Sequence, residues 1–579
     1  MKSIREYWNL LSAYLRPQMG QVVGLALILV TGIGLQLYTP SVLRDFIDMA
    51  LAGGSYDALI QKAVLFFALV LVTQLVTTAA TYVSERVAWT ATNLLRVDLA
   101  DHCLRLDMTF HQKYPPGTLI ERVDGDVDAL SNFFSQFVVR ILANVILIVG
   151  VLVMLYREDW RAGLGLTVFA ALAIIIMLRV RTIGVPRWIA SRQKSAEAFG
   201  FLGEVLHGTE DIRASGAADY IKRRFDKILR EWFPIRRGAS LAFSLIWTTT
   251  LLLFTLGTGF SFALGYMLWS AGAISAGTVY LIFNYTELMR RPIEQIRAQI
   301  EDLQRASASI TRVRELFALK SNIQEGDLSL PAQGALDVEF REVVFSYGDD
   351  VTALHNINYC LEAGQVLGLL GRTGSGKSTI ARLLLRLYDP TSGQILLGGV
   401  PTGGTTLSDL TRRVGLVPQE VQVFGATVRE NFTLFDPSIR DVDILSVIEE
   451  FELSSWFQSL PRGLDTELGP GGGLSAGQAQ LLNFARVALR DPGLVILDEA
   501  TSRLDLATEA LIDRATLRLL QGRTAIIIAH RLHTVQKADK ILILEDGAIQ
   551  EFGLRQDLLS DPASRFSALL RTGLEEVLA

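Results

Sequence analysis

Nine consecutive residues carry the strongest chemical signal in the chain: Gly371, Arg372, Thr373, Gly374, Ser375, Gly376, Lys377, Ser378 and Thr379. They fit G-x-x-x-x-G-K-[ST], a spacing that wraps a phosphate. The glycines let the backbone curl until several N–H groups point at one anion. Lys377 can then reach the outer phosphates, and the Ser378 hydroxyl can ligate Mg2+. A second group is the carboxylate pair Asp498 and Glu499, which closes the apolar run Leu494 to Leu497. At a strand end, Asp498 can hold Mg2+ through water, and Glu499 can polarise an attacking water. A third is His530, directly after the apolar run Thr524 to Ala529. A lone histidine is normally structural, but a strand-end position downstream of an acidic pair gives this one a functional reading. His102, His111, His207, His355 and His533 have no partner at metal-ligand spacing and read as structural.

These groups need elements to position them. Val366 to Leu370 is apolar and short enough for a buried strand, and Ile380 to Leu385 reads as a helix. The phosphate loop thus lies between strand and helix, where the helix N-terminus adds partial positive charge. Upstream, Val338-Glu339-Phe340 and Val343-Val344-Phe345 read as two strands, followed by a turn at Tyr347-Gly348-Asp349-Asp350. Strands and helices alternate from there to the end, which predicts an α/β domain with a mostly parallel sheet.

The rest of the chain differs in kind. At 579 residues it is too long for one core. Hydrophobic residues make up 50% of it and the mean hydropathy is +0.32, high for a soluble protein. That average hides a split: long apolar runs fill the chain up to about Leu288 and disappear after Gly334. A formal charge of -5 gives no case for nucleic-acid binding. The two cysteines, Cys103 and Cys360, lack metal-ligand spacing and read as small buried apolar residues.

A membrane-spanning helix needs roughly 20 mainly apolar residues. Six stretches are candidates: Val22 to Tyr38, Ala63 to Val83, Phe133 to Tyr156, Ala162 to Leu178, Leu241 to Trp269, and a weaker one from Ile274. Asn284, Glu287, Arg290 and Arg291 interrupt the sixth; the two arginines read as its cytoplasmic end. Six spans put both termini on one side. The long polar links, Ser84 to Asn132 and Arg179 to Ser240, are rich in Arg and Lys, which places them in the cytoplasm. Met1 to Arg16 is amphipathic and reads as an interfacial helix rather than a cleavable signal peptide. The expected domains are 1–319, a transmembrane domain with long cytoplasmic loops; 320–335, a linker; and 336–579, a nucleotide-binding domain.

Between phosphate loop and acidic strand lies Leu474-Ser475-Ala476-Gly477-Gln478. The order is aromatic Tyr347, phosphate loop, Leu416-Val417-Pro418-Gln419, L-S-x-G-Q, acidic strand, Ser502 to Asp505 as S-x-L-D, and His530. This combination resembles the nucleotide-binding domain of the ABC transporter superfamily across nearly all of Leu336 to Ala579. Asp107-Met108-Thr109-Phe110, Gly117 to Val123 and Asp126-Val127 resemble the first cytoplasmic loop of ABC exporters with six helices ahead of one nucleotide domain. Asp211 to Gly216 falls where the second loop's coupling segment would lie, with a looser likeness.

The resemblance implies the remaining roles. Tyr347 would stack on adenine, and Gly371 to Thr379 would wrap the phosphates of ATP. Ser378, Gln419 and Asp498 would hold Mg2+, Glu499 would act on the attacking water, and His530 would contact the γ-phosphate. Leu474 to Gln478, with Ser475 and Gly477 foremost, would face ATP bound on a second half-transporter chain, with Asp505 in the adjoining loop. Here the sequence departs from the family pattern. Ala476 replaces a glycine, Ala479 and Leu481 stand where basic residues are common, and Arg503 replaces a small residue. The Thr466 to Gly473 run is shorter than its counterpart and lacks its second acidic residue. All these changes lie on the side serving the partner's ATP, which favours a heterodimer over a homodimer that tolerates the Ala476 methyl.

The functional expectation is an ATP-driven exporter of a lipophilic or amphipathic substrate, integral to the cytoplasmic membrane with its nucleotide domain in the cytoplasm. Import through the same fold, an ATP-gated channel, and a membrane-anchored regulatory ATPase are the alternatives. The helices offer apolar surfaces with scattered polar groups, Gln74, Asn144, Trp247, Thr248, Asn284 and Tyr285, which suit lipids, drugs or hydrophobic peptides equally.

Overall fold

The computed structural model describes residues 12–132, 142–348, 352–469, 473–498, 506–529 and 532–572. They form two compact units. One holds the described residues up to Arg105 together with Pro115–Leu319; the other holds Leu106–Tyr114 and the described residues from Lys320 onward.

The first unit is helical. Its long helices are α1 (Met19–Leu51), α2 (Tyr56–Leu104), α3 (Leu142–Glu158), α4 (Trp160–His207), α5 (Ala218–Ser270) and α6 (Ala276–Ala318). Among the described residues, four stretches are long and apolar enough to cross a membrane: Ser12–Leu51, Tyr56–Leu104, Trp160–His207 and Ala218–Ser270. They contain the first, second, fourth and fifth expected spans. Part of the third, 133–141, lies outside the described residues, as do residues 1–11 of the expected interfacial helix. The helices are longer than the spans predict. A 49-residue helix such as α2 is about 73 Å long, more than twice the ~30 Å hydrocarbon core. The second polar link is therefore largely a continuous extension of α4 and α5, whereas the first begins as an extension of α2 and breaks into short helices after Leu104.

Side-chain caps set where these helices begin. Asp159 accepts from the Arg161 N–H at 2.7 Å and starts α4. Ser275 accepts from the Thr278 N–H at 3.1 Å and starts α6. Asp48 near the end of α1 accepts from the Gly277 N–H at 2.7 Å, which fixes the two helix ends together. Leu147, Val151, Leu155, Leu166, Phe254, Leu281 and Met289 form the buried core between α3, α4, α5 and α6. Tyr285 is fully buried in it and donates its hydroxyl to the Leu37 carbonyl at 2.7 Å. Past the apolar region, buried Asp126 pairs with Arg312 and accepts from the Ser309 hydroxyl at 2.9 Å. That contact ties the first polar link to the end of α6.

The second unit contains two sheets where a single mostly parallel one is expected. A six-stranded sheet runs β10-β9-β3-β8-β7-β6, with β3 (Val366–Leu370), β6 (Val414–Val417), β7 (Leu494–Asp498), β8 (Thr524–Ile528), β9 (Lys540–Glu545) and β10 (Ala548–Leu554). All its pairings are parallel except β9 with β10. A separate antiparallel sheet runs β2-β1-β4-β5, from β1 (Val338–Ser346), β2 (Thr352–Leu361), β4 (Ser392–Leu397) and β5 (Val400–Pro401). The two strands expected at Val338 and Val343 are one strand with a bulge. Glu342 sits at φ +50° there, and its N–H donates to Asn358 Oδ1 at 2.8 Å. Cys360 is exposed rather than buried, because the alternation of β2 buries Tyr359 and Leu361 and turns Cys360 outward.

Residues 320–335 lie along the second unit. Leu328 N–H donates to the Gly404 carbonyl at 2.9 Å, Arg386 Nη2 donates to the Gln324 carbonyl at 2.6 Å, and Leu330 is buried.

Candidate functional site

The phosphate loop follows β3 and leads into α7 (Lys377–Leu384). Gly371 and Gly376 adopt φ of +153° and +104°. A Cβ at Gly371 would lie 2.2 Å from the Leu544 carbonyl oxygen, so no side chain fits that turn. Lys377 is buried, and its Nζ donates to the carbonyls of Gly371 at 2.5 Å and Arg372 at 3.0 Å. The Ser375 hydroxyl is buried under the loop with no hydrogen-bond partner among the described residues. Leaving such a group unsatisfied costs about 1–3 kcal/mol. A ligand oxygen entering the loop would relieve that cost, so these residues fit a phosphate.

Topology assembles the other candidates around this loop. Register places Leu369 opposite Ile528, and Ile528 opposite Asp498. Val417 lies opposite Leu497. Because β3, β8, β7 and β6 are parallel, the phosphate loop, Asp498 and Gln419 all emerge from one edge of the sheet. Ligands of open α/β sheets bind at that edge. Glu499 directly follows Asp498, and His530 follows β8 by two residues; both lie outside the described residues, as does Asp505. Asp498 is half-buried, and the Ser378 and Gln419 side chains are exposed. These are oxygen donors, the type that suits Mg2+.

Tyr347 is held by its neighbours. Its hydroxyl lies 3.2 Å from Thr379 Oγ1 and accepts from Arg382 Nη1 at 3.0 Å. Phe345 and Tyr388 meet its ring edge to face, with centroids 4.7 and 5.3 Å away. Burial, reinforced by Tyr347, raises the Tyr388 pKa above the usual phenol value, so the Tyr388 hydroxyl stays protonated.

Ser475 caps the helix α8 (Ala476–Ala488). Its hydroxyl accepts from the Gln478 N–H at 3.2 Å, and Gln478 Oε1 accepts from the Ser475 N–H at 2.9 Å, a complete capping box. Ser475 and Ala476 are exposed, and Gly477 is buried. A Cβ at Gly477 would lie 2.2 Å from Thr508 Cγ2 of α9 (Leu506–Leu520), so this glycine is required by packing. Gln480 Nε2 donates to the Gln419 carbonyl at 2.8 Å. The signature thus sits beside edge strand β6, three strands or about 14 Å from β3.

The transmembrane-region model of ABC transporters matches residues 22–293, and the ABC transporter nucleotide-domain model matches residues 354–502. The ATP-dependent lipid A-core flippase of Escherichia coli (strain K12) is 30% identical over 553 residues, covering 93% of this chain and 92% of the relative. The chain belongs to the ABC transporter superfamily. An uncharacterised ABC transporter ATP-binding protein of Bacillus subtilis (strain 168) is 29% identical over 571 residues, covering 96% of this chain and 92% of that one. Among solved structures, a bacterial Atm1-family ABC exporter with ATP bound superposes with a TM-score of 0.78 at 25% identity, covering 97% of this chain and 99% of that one. This ABC protein is an exporter-type half-transporter, an integral membrane protein that uses and hydrolyses ATP.

One residue beside the candidate site of this ABC half-transporter was not singled out from sequence. Arg486 is buried in α8. It donates to the carbonyls of Asn431 at 2.6 Å and Gln422 at 2.8 Å, and to Asn431 Oδ1 at 3.0 Å. Burial pushes its pKa down to about 10, so it remains charged at neutral pH. It locks the signature helix to the segment after Gln419. Its signal was a charge inside the apolar run Leu481 to Val487. Asp107, which opens the loop segment named from sequence, caps the short helix Met108–Lys113 through the Phe110 N–H at 3.1 Å and accepts the Asn322 N–H at 2.6 Å.

The helical unit of the transporter holds a cavity of about 1040 Å3. Asn144 and Asn284 line it as the sequence suggested; Gln74, Trp247 and Thr248 are exposed outside its lining, and Tyr285 is consumed by the core. The lining is more charged than the sequence implied, with Glu85, Glu287, Arg290, Arg291 and Glu294 all present.

Proposed function

We propose that this chain is one half of an ATP-driven exporter that pairs with a different half-transporter and moves a lipophilic or amphipathic substrate across the cytoplasmic membrane. The observation that carries the reading is the buried Ser375 hydroxyl, without a hydrogen-bond partner among the described residues, beneath a loop of left-handed glycines at the edge where β3, β6, β7 and β8 end. Similarity to a lipid A-core flippase supports an amphipathic substrate.

In this reading residues 1–319 form the transmembrane domain with six spans, 320–335 the linker and 336–579 the nucleotide domain, with both termini cytoplasmic. Tyr347 stacks on adenine. Gly371 to Thr379 wrap the phosphates, and Lys377 exchanges its two carbonyl partners for phosphate oxygens. Ser378, Gln419 and Asp498 hold Mg2+, which when bound neutralises phosphate charge. Glu499 accepts a hydrogen bond from the attacking water and aligns it in line with the γ-phosphate. His530 donates to that phosphate. As the water oxygen bonds to the γ-phosphorus, the bond to the β–γ bridging oxygen breaks; ADP and inorganic phosphate leave, and the nucleotide domains separate. ATP drives transport by binding the closed arrangement better than the open one.

Leu474 to Gln478, with Asp505 nearby, close over the partner's nucleotide. The Ala476 methyl on that exposed face supports a weakened second site, hence a heterodimer. The test is to purify the full chain alone and with its co-purifying partner. Hydrolysis should require the partner and vanish in Lys377→Ala. Robust hydrolysis by the chain alone would contradict the heterodimer, and hydrolysis surviving Lys377→Ala would contradict the site.

A further inference from the structure

We propose that the cavity between α1, α2, α3 and α6 binds a zwitterionic amphiphile, its cationic group at Glu85 and its anionic group at Arg291. This rests on the export reading above and names the substrate class of that transporter.

The cavity, about 1040 Å3, is at the upper end of the range for organic ligands. Ile28, Ile33, Val76 and Leu147 give it an apolar wall. Its charges sort into two groups. Arg290 lies 3.4 Å from Glu294 and 3.9 Å from Glu287, with its guanidinium 5.6 Å from the centroid of the Phe254 ring. Glu287 also accepts from the Thr258 hydroxyl at 2.9 Å. Asn144 Nδ2 donates to Gln295 Oε1 at 2.8 Å. These groups are consumed by the protein.

Glu85 and Arg291 are not. They come from different helices, both are exposed, and both line the cavity. Among the described residues neither forms an ion pair or a side-chain hydrogen bond, with each other or with a third group. Ionisable groups facing a cavity in a membrane bundle mark a ligand path. The lining holds three carboxylates and two guanidiniums, so a purely anionic ligand meets excess negative charge. A purely cationic ligand leaves Arg291 unmatched. A ligand carrying both signs on an apolar body satisfies both groups and the wall.

The test uses the full chain with its partner in lipid nanodiscs and three pyrene-labelled amphiphiles of equal chain length. Their heads are phosphocholine, sulfate and trimethylammonium, and binding is read as fluorescence change. The phosphocholine probe should bind about tenfold tighter than either singly charged probe. Glu85→Gln should abolish the preference over sulfate, Arg291→Gln the preference over trimethylammonium, and Arg291→Lys should keep it. Equal binding of all three probes to the unaltered protein overturns the proposal, with no dependence on whether a variant folds. Competition by dileucine, a zwitterion without a long chain, would support a soluble peptide as the source of the chemistry; failure to compete supports a membrane lipid. ATP hydrolysis is measured on the same preparation. Hydrolysis without charge selectivity overturns this inference alone, whereas charge selectivity without hydrolysis supports it and overturns the export reading.

Discussion

Gly477 shows how a residue can be right for more than one reason. By resemblance it would face ATP on a second chain; in the structure its missing Cβ also makes room for the Thr508 methyl. Gly477→Ala should therefore destabilise the nucleotide domain by about 1–3 kcal/mol through overpacking. Adding Thr508→Ser removes that methyl and should restore most of the thermal transition; an unimproved double variant would show that packing is not the cause. Arg486→Met should lower the same transition by about 2–4 kcal/mol, because the Asn431 and Gln422 carbonyls lose their donor in a buried site. Calorimetry of the purified protein reads both. The phosphate loop was legible from sequence because its chemistry needs adjacent residues at fixed spacing. Arg486 was not, because its partners Asn431 and Gln422 lie 55 and 64 residues away and only folding brings them together.

Among elements, the same contrast holds. Apolar runs located four of the helices that are long and apolar enough to span, but not their ends. A polar link that continues a helix has the same composition as one that loops, so composition did not mark the ends of α2 at Leu104 and α4 at His207. The parallel sheet was legible from alternating strands and helices, whereas the antiparallel β2-β1-β4-β5 sheet was hidden by the bulge at Glu342, which breaks the alternation of β1. The short helix Met108–Lys113 is an element whose attachment has a consequence. Asp107 both caps it and holds the Asn322 N–H. Asp107→Ala should lower substrate-stimulated hydrolysis severalfold while basal hydrolysis persists. If stimulation is unchanged, this attachment does not carry coupling.

At the level of the whole molecule, one chain supplies a phosphate loop, Gln419 and Asp498 along one sheet edge, and a signature about three strands away on the β6 side. In the proposed reading a single copy presents two half-sites, and the nucleotide domain of a second chain completes each one. The order of motifs made this legible, since it resembles a family in which sites are shared. The charges Glu287, Arg290 and Arg291 were visible in the sixth apolar stretch, but their meeting with Glu85 in one cavity was not, because Glu85 lies on α2, far away in the chain. The most direct measurement is hydrolysis of Mg-ATP by the full chain with its partner in nanodiscs, unaltered and as Glu499→Gln, with ATP binding measured alongside. Glu499→Gln should bind ATP normally and hydrolyse it about 10²–10⁴-fold more slowly. Hydrolysis by Glu499→Gln at the unaltered rate would contradict the assignment of the sheet edge as the ATP-hydrolysing site.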